Sequence, residues 1–406
     1  MHLPKGKYGI RKDILFVFVL VFTVVCPSFT SAQSLSSTLV PNAKSSRIDL
    51  KGLTKKANSG NTVAQFKLAH AYQFGEGVDK DLYESIRWYL MAANYGDSSA
   101  QANLGYIYET GPEGVKDLAE AAKWYTRSAV SGNPAGALNL GLLYLNGQGV
   151  NKSLDDAGHW IRRSADADFA EGQAALAYLY ATGQGVPQDP HEALKLAHKA
   201  AKKNYPQAQA SLGIVYSQGL GVFADPVEAV KWFRKGAEAG NPTAQYGLAF
   251  LYEKGQGVKQ DTAESLRYYR LAGEGGLKQA QAVLGEIYEL GQGVDIDYAQ
   301  SVTWYRRAID QGDTRAATRL AAMFFQAKGV DRDMQEAVKL WTWAADREDA
   351  FAQFDLAEMY ATGTGVNRDL PKAYSLFILA GKRLDVSKQL SEITSKMTPD
   401  ELAKLQ

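Results

Sequence analysis

The 406-residue chain holds one cysteine, Cys26, and five histidines. A lone thiol excludes an intramolecular disulfide framework and any multi-cysteine zinc or iron–sulfur site. No charge of one sign dominates, since 45 Lys and Arg face 44 Asp and Glu. Neither nucleic acid nor an anionic membrane is therefore drawn in by a broad field. The sequence contains no G-x-x-x-x-G-K-[ST], the usual phosphate cradle. It has no S-x-x-K either, the usual serine–lysine nucleophile arrangement. After Val25 no apolar run approaches the roughly 20 residues of a membrane-spanning helix. What the chain does have is 38 glycines and 22 tyrosines. Their spacing organises everything that follows.

The amino-terminal segment reads as an address. Lys5, Lys7, Arg11 and Lys12 precede a 12-residue run, Ile14 to Val25, apolar except for Thr23. Pro27, Ser28, Thr30, Ser31 and Ala32 follow. Basic start, short apolar run and small-residue exit make a secretory signal over residues 1–32, with cleavage expected after Ala32. Cleavage removes Cys26, four basic residues and one acidic one, leaving 41 basic against 43 acidic residues. The mature chain is then expected in the periplasm or outside the cell, stabilised by packing alone. Residues 33–46 are serine-rich and read as a flexible leader.

A 36-residue period fills the rest. Tyr72, Tyr108, Tyr144, Tyr180, Tyr216, Tyr252 and Tyr288 share one column with Phe324 and Tyr360. Leu68, Leu104, Leu140, Leu176, Leu212, Leu248, Leu284, Leu320 and Leu356 share another. Small residues stand four places before each leucine, from Ala64 and Ala100 to Ala352. Small, leucine and tyrosine positions fall on one stripe of an α-helix. Pro134, Pro206 and Pro242 open three such helices, where a missing N–H costs nothing. Each first helix ends in G-x-G-V, as in Gly147-Gln148-Gly149-Val150, suited to a left-handed helix stop. Asp81 with Glu84, Asp189 with Glu192 and Asp261 with Glu264 have capping-box spacing at the start of a second helix. That helix carries an aromatic pair such as Trp88-Tyr89, Trp124-Tyr125 or Trp304-Tyr305, then a small pair and a glycine turn.

The composite, A-x-x-x-L-G-x-x-Y-x-x-G-x-G-V-x-x-D-x-x-x-A-x-x-W-Y-x-x-A-A, resembles the Sel1-like repeat family over residues 60–383. The resemblance implies an all-α, α/α solenoid, a right-handed superhelix of nine 36-residue helix-turn-helix repeats related to tetratricopeptide arrays. Such arrays usually scaffold protein complexes. Departures are local: Gly111-Pro112-Glu113-Gly114 places the second glycine one residue late, Ala327 replaces a glycine, and Leu196, Leu340 and Leu376 replace the tryptophan. Residues 47–59 match second-helix columns as a capping half-repeat, and 384–406 form a closing segment that begins a helix at Thr398-Pro399-Asp400-Glu401.

No catalytic, cofactor-binding or metal-ligating set emerges. G-x-G-V follows a helix and recurs as a terminator, and His191 starts His-Glu-Ala-Leu-Lys195 without the second histidine of a zinc-protease helix. Arg87, Lys123, Lys195, Lys231, Arg267 and Lys339 follow a glutamate by three residues and are expected to pair with it. Binding is expected on first-helix positions that should be polar if they met only water: Phe66, His70, Tyr106, Leu138, Leu142, Tyr178, Tyr246 and Phe250. In a tetratricopeptide-like stack these line one concave groove, and packing against the next repeat is the alternative for the same positions. The expected function is a non-enzymatic exported adaptor holding a protein or peptide, monomeric, without nucleic acid or a membrane span. The rival is a cell-wall-directed protein that binds or hydrolyses peptidoglycan-like or β-lactam ligands, although this chain lacks the paired cysteines of the relatives linked to that chemistry.

Overall fold

The computed structural model describes residues 49–219, 222–403 and 405, so the signal segment and the serine-rich leader lie outside the described residues. Among the described residues there are 21 helices and no strand. The chain divides into two compact units, 1–225 and 226–406. In the first unit α1 (Leu50–Asn58) precedes the pairs α2 (Thr62–Phe74) with α3 (Leu82–Asn94), α4 (Ser98–Thr110) with α5 (Leu118–Val130), α6 (Pro134–Asn146) with α7 (Leu154–Asp166), and α8 (Ala170–Thr182) with α9 (Pro190–Lys202). Helix α10 (Pro206–Gln218) ends it. The second unit opens on α11 (Pro226–Glu238). It continues with α12 (Pro242–Lys254), α13 (Thr262–Glu274), α14 (Lys278–Leu290), α15 (Tyr298–Asp310), α16 (Thr314–Gln326), α17 (Met334–Ala345), α18 (Ala350–Thr362) and α19 (Leu370–Ala380). Helices α20 (Ser387–Thr394) and α21 (Pro399–Ala403) close it. Consecutive packed pairs of this kind make an α/α solenoid of nine repeats.

Helices of 13 residues are marginal on their own, so packing holds them. The leucine column is buried throughout, with Leu104, Leu212, Leu248 and Leu284 fully covered. Each such side chain contributes about 1.5–3 kcal/mol by leaving water. Second-helix aromatics press into the first helix: a Cβ on Gly105 would lie 2.5 Å from the Tyr125 ring, and one on Gly285 2.4 Å from the Tyr305 ring. Small positions are matched across repeats in the same way. Where the second helix has Ser128 or Ser164, the next first helix has Gly136 or Gly172, because a Cβ there would stand 2.4 or 2.3 Å from the serine oxygen. The two serines donate instead to the carbonyls of Ser98 and Pro134, each at 2.7 Å.

A glutamine column ties successive repeats. The amide groups of Gln65, Gln101 and Gln209 donate to the carbonyls of Ala57, Ala93 and Ala201 at 3.1, 3.1 and 3.2 Å. In the second unit Gln245, Gln281 and Gln353 reach Ala237, Gly273 and Ala345. Each bond satisfies an orphan carbonyl near a helix end and is worth about 1 kcal/mol net.

Loop geometry sets the register between repeats. Gly147 ends α6 in the left-handed region, and Gly149 follows with φ +69. A Cβ on Gly149 would fall 2.1 Å from the carbonyl oxygen of Leu118, at the start of the preceding second helix. Gly185 meets Leu154 at the same distance. The second glycine therefore exists for close approach between repeats as well as for its turn. Ala327 keeps the left-handed stop of α16 without glycine, at φ 55.

Asp81, Asp117 and Asp189 cap second helices by accepting from backbone N–H groups two and three residues on. The glutamates at capping-box spacing do not reach back; Glu84, Glu120 and Glu192 turn outward to Arg87, Lys123 and Lys195 at 3.0, 2.7 and 3.0 Å. Glu228 and Glu264 pair likewise with Lys231 and Arg267. Exposed pairs of this sort add roughly 0.3–0.5 kcal/mol each. At the ends, Leu50 and Leu53 of α1 pack on the cluster around Leu68 and Tyr89. Val386, Ile393 and Met397 are buried against Phe377. Thr398 and Glu401 do form a reciprocal capping box, at 2.8 and 3.3 Å.

Candidate interaction surface

Within each unit the first helices of neighbouring repeats touch, α4 with α6 and α6 with α8 in the first, α14 with α16 in the second, whereas contact between successive second helices is sparser. Small residues in the first-helix columns permit this approach. The side chains singled out from the sequence all stand on first helices, some of them in the seam between neighbours.

In the first unit Phe66 is half-buried and meets the Tyr89 ring edge-on at 5.5 Å. His70 is half-buried, lies 4.5 Å from the Phe74 ring and puts Nδ1 3.2 Å from a Glu76 oxygen. Phe74 and Val63 on the same helix are exposed, Val63 by 59%. Tyr106 and Leu142 are half-buried, and Tyr106 leans on the cluster that holds Tyr125 and Leu140. Leu138 and Tyr178 behave differently. They are only 3% and 8% exposed, because close contact of α6 with its neighbours covers the seam. For these two positions packing is the role, and they leave the set of groove-lining side chains.

The second unit presents Tyr246, half-buried and edge-on to Tyr269 at 5.5 Å, and Phe250, half-buried with the Lys254 ammonium 5.7 Å above its ring. Beyond them the face becomes charged. Arg319 bridges Glu286 at 3.0 Å and Glu289 at 3.6 Å, and the Tyr305 hydroxyl donates to Glu289 at 2.8 Å. Burial first, then the neighbouring Asp349 and Glu358 charges, push Asp355 up to about 7. A folded-state value above the unfolded 3.8 means that the folded chain keeps a proton the unfolded chain has lost, so stability falls as pH rises from about 4 to about 7. Asp355→Asn should accordingly stabilise the chain by about 1–2 kcal/mol at pH 8 and by almost nothing near pH 4. Chemical denaturation at the two pH values checks this, and an equal gain at both would remove the titration from the account.

Among the described residues no group of three or more His, Cys, Asp or Glu side chains is placed to hold a metal ion, and no helix is long and apolar enough to cross a membrane. The repeating contacts above are those of one motif copied in register. The Sel1 repeat pattern matches nine consecutive segments, from 62–97 through 206–241 to 350–383.

The chain belongs to the Sel1 repeat family. A protective antigen present in uropathogenic Escherichia coli strains, displaying an SLR fold, is 31% identical over 97% of this chain and 83% of its own, with a TM-score of 0.64. A Sel1 repeat protein from Oxalobacter formigenes is 29% identical over 81% of this chain and 99% of its own, with a TM-score of 0.54. No curated protein matches the chain. Sel1 repeat proteins generally mediate protein–protein interaction and are generally not catalytic. The glutamine ties escaped the sequence reading, and for Leu138 and Tyr178 the packing alternative is the one their burial follows. A glutamine recurring one place after the small column was the available signal for the first.

Proposed function

We propose that the mature chain is a non-enzymatic adaptor, exported from the cytoplasm, that holds a protein or peptide against the inner side of its Sel1 repeats. The observation that carries this reading is the set of half-buried apolar side chains on first helices, Phe66, Tyr106 and Leu142, beside exposed Val63 and Phe74. Apolar side chains left partly exposed along one helix face mark a partner site more often than a solvated one. Tyr246 and Phe250 serve the same purpose in the second unit. Extended peptides and helices have the shape such a surface takes. Export rests on the basic, apolar and small-residue order of residues 1–32, and the 31% identical relative, a protective antigen, is in keeping with a chain that leaves its cell.

Purified mature chain incubated with a chromogenic β-lactam and with fluorescent penicillin is expected to give neither turnover nor a labelled band. Either signal would replace the adaptor with a cell-wall-directed protein.

A further inference from the structure

Three places after the tryptophan column, five second helices put a cation into solvent: Arg127, Arg163, Lys199, Lys235 and Arg307, all exposed. Met91 and Leu271 are isolated exceptions. The eighth and ninth repeats differ, because they carry large apolar side chains in that column side by side. Helix α17 has Trp343, partly buried against the core, with the Arg347 guanidinium 4.2 Å from its ring. Helix α19 has Leu379, 42% exposed, next to Ile378 at 46%. Neighbouring apolar side chains of this size make a patch, unlike those scattered singly over a surface.

An open crevice of about 400 Å³ runs between α17 and α19, with Thr342 and Leu379 on its walls. Its rim carries both signs of charge. Asp346 and Glu348 stand at the end of α17, Lys382 and Arg383 just past α19, and all four are exposed. Among the described residues none of the four takes part in an ion pair. Nearby Lys339, by contrast, is taken up by Glu336 at 3.2 Å, and Lys372 on the crevice wall donates to the Tyr360 hydroxyl at 2.8 Å. The two rim carboxylates also sit at the negative end of the α17 dipole, a place that favours a cation. Lys382 follows Asp346 by one repeat in the same column, as Leu379 follows Trp343.

The face is therefore complementary to itself. A two-fold axis along the crevice sets α17 of one copy against α19 of the other, and each contact then occurs twice. We propose that a second copy of this chain docks here, with Leu379 and Ile378 of each copy covering Trp343 of the other. Lys382 and Arg383 of each copy meet Asp346 and Glu348 of the other, so four charges without partners in the single chain gain them. Two helices a side lie at the small end of stable interfaces, so the dimer dissociates in the micromolar range. This pairing takes the place of the monomer expected from the sequence. It uses second helices only and stands apart from docking on first helices, so either can fail alone.

Sedimentation equilibrium of the mature chain tests the pairing and should show monomer and dimer exchanging with concentration. Lys382→Glu and Asp346→Lys, both at exposed positions, should each weaken the dimer by about tenfold. The variant carrying both should regain it, because the exchanged charges again face opposite ones. Leu379→Glu should weaken association by at least about tenfold with little change in thermal stability, and the charge variants keep the test decisive if it does not fold. A chain that stays monomeric at ~100 μM would overturn the proposal. So would a dimer indifferent to Leu379→Glu, or a double charge exchange that fails to restore association.

Discussion

Replacing Gly149 by alanine is expected to lower stability by about 2–4 kcal/mol, the range of strained or clashing backbone positions. Two costs combine there. The residue holds φ +69, and its Cβ would stand 2.1 Å from the Leu118 carbonyl oxygen, a rigid backbone atom of the previous repeat. Gly75→Ala supplies the comparison. It carries a similar φ of +77, but its Cβ would press on the flexible Lys80 side chain at 3.0 Å and meet the Val78 carbonyl oxygen at an ordinary 3.5 Å, so its loss should stay at ~1 kcal/mol. Denaturation of the two variants under one condition separates turn strain from inter-repeat contact. Equal losses would mean that the second glycine does nothing for stacking.

The second large effect separates Tyr178 from Tyr106, which occupy the same column two repeats apart. Tyr178 is 8% exposed, and Tyr178→Ser should cost about 3–5 kcal/mol, as for other buried aromatics cut back to a small side chain. Tyr106 is half-buried, and Tyr106→Ser should cost about 1–2 kcal/mol while reducing partner capture. Thermal unfolding of both variants decides. A Tyr106 variant as unstable as the Tyr178 variant would place the whole column in the seam.

These two contrasts show where the sequence is transparent and where it is not. The helix stripe, the glycine stops at Gly147 and Gly183 and the aspartate caps at Asp81 and Asp189 depend on residues close in the chain, and one period of 36 residues exposes them all. Burial of Leu138 and Tyr178 depends on how closely α6 and α8 approach, which follows from small residues on both helices and not from either helical wheel. The glutamates were legible as cap partners and as ion-pair partners at once; the structure chooses Arg87 and Lys123, because the N–H that a capping-box glutamate would take, that of Asp81 or Asp117 itself, already donates to the carbonyl of Tyr72 or Tyr108 at 3.0 or 2.7 Å. Leu196 and Leu376 read in the sequence as local departures from the tryptophan column. Helices α9 and α19 are intact, and what the smaller side chain leaves is space.

The first helices of the first unit combine rigidity with adaptable contacts, since glutamine ties and buried leucines hold them while Phe66, His70 and Tyr106 keep part of their surface exposed. In the proposed docking role such a surface loses little conformational freedom, because its side chains are already ordered before a partner arrives. In the second unit the Arg319 bridge to Glu286 and Glu289 gives the corresponding face a polar character, suited to orienting a partner more than to anchoring it.

Site-specific photocrosslinking in cells that produce the protein addresses the docking claim most directly. A photoreactive phenylalanine is placed at Tyr106, on the inner side, and in a second variant at Lys123, an exposed second-helix position. Irradiation is predicted to yield a discrete protein adduct from position 106 that position 123 does not form. An adduct formed only from position 123, or no adduct from position 106 in a variant that remains folded, would contradict recognition by the inner side.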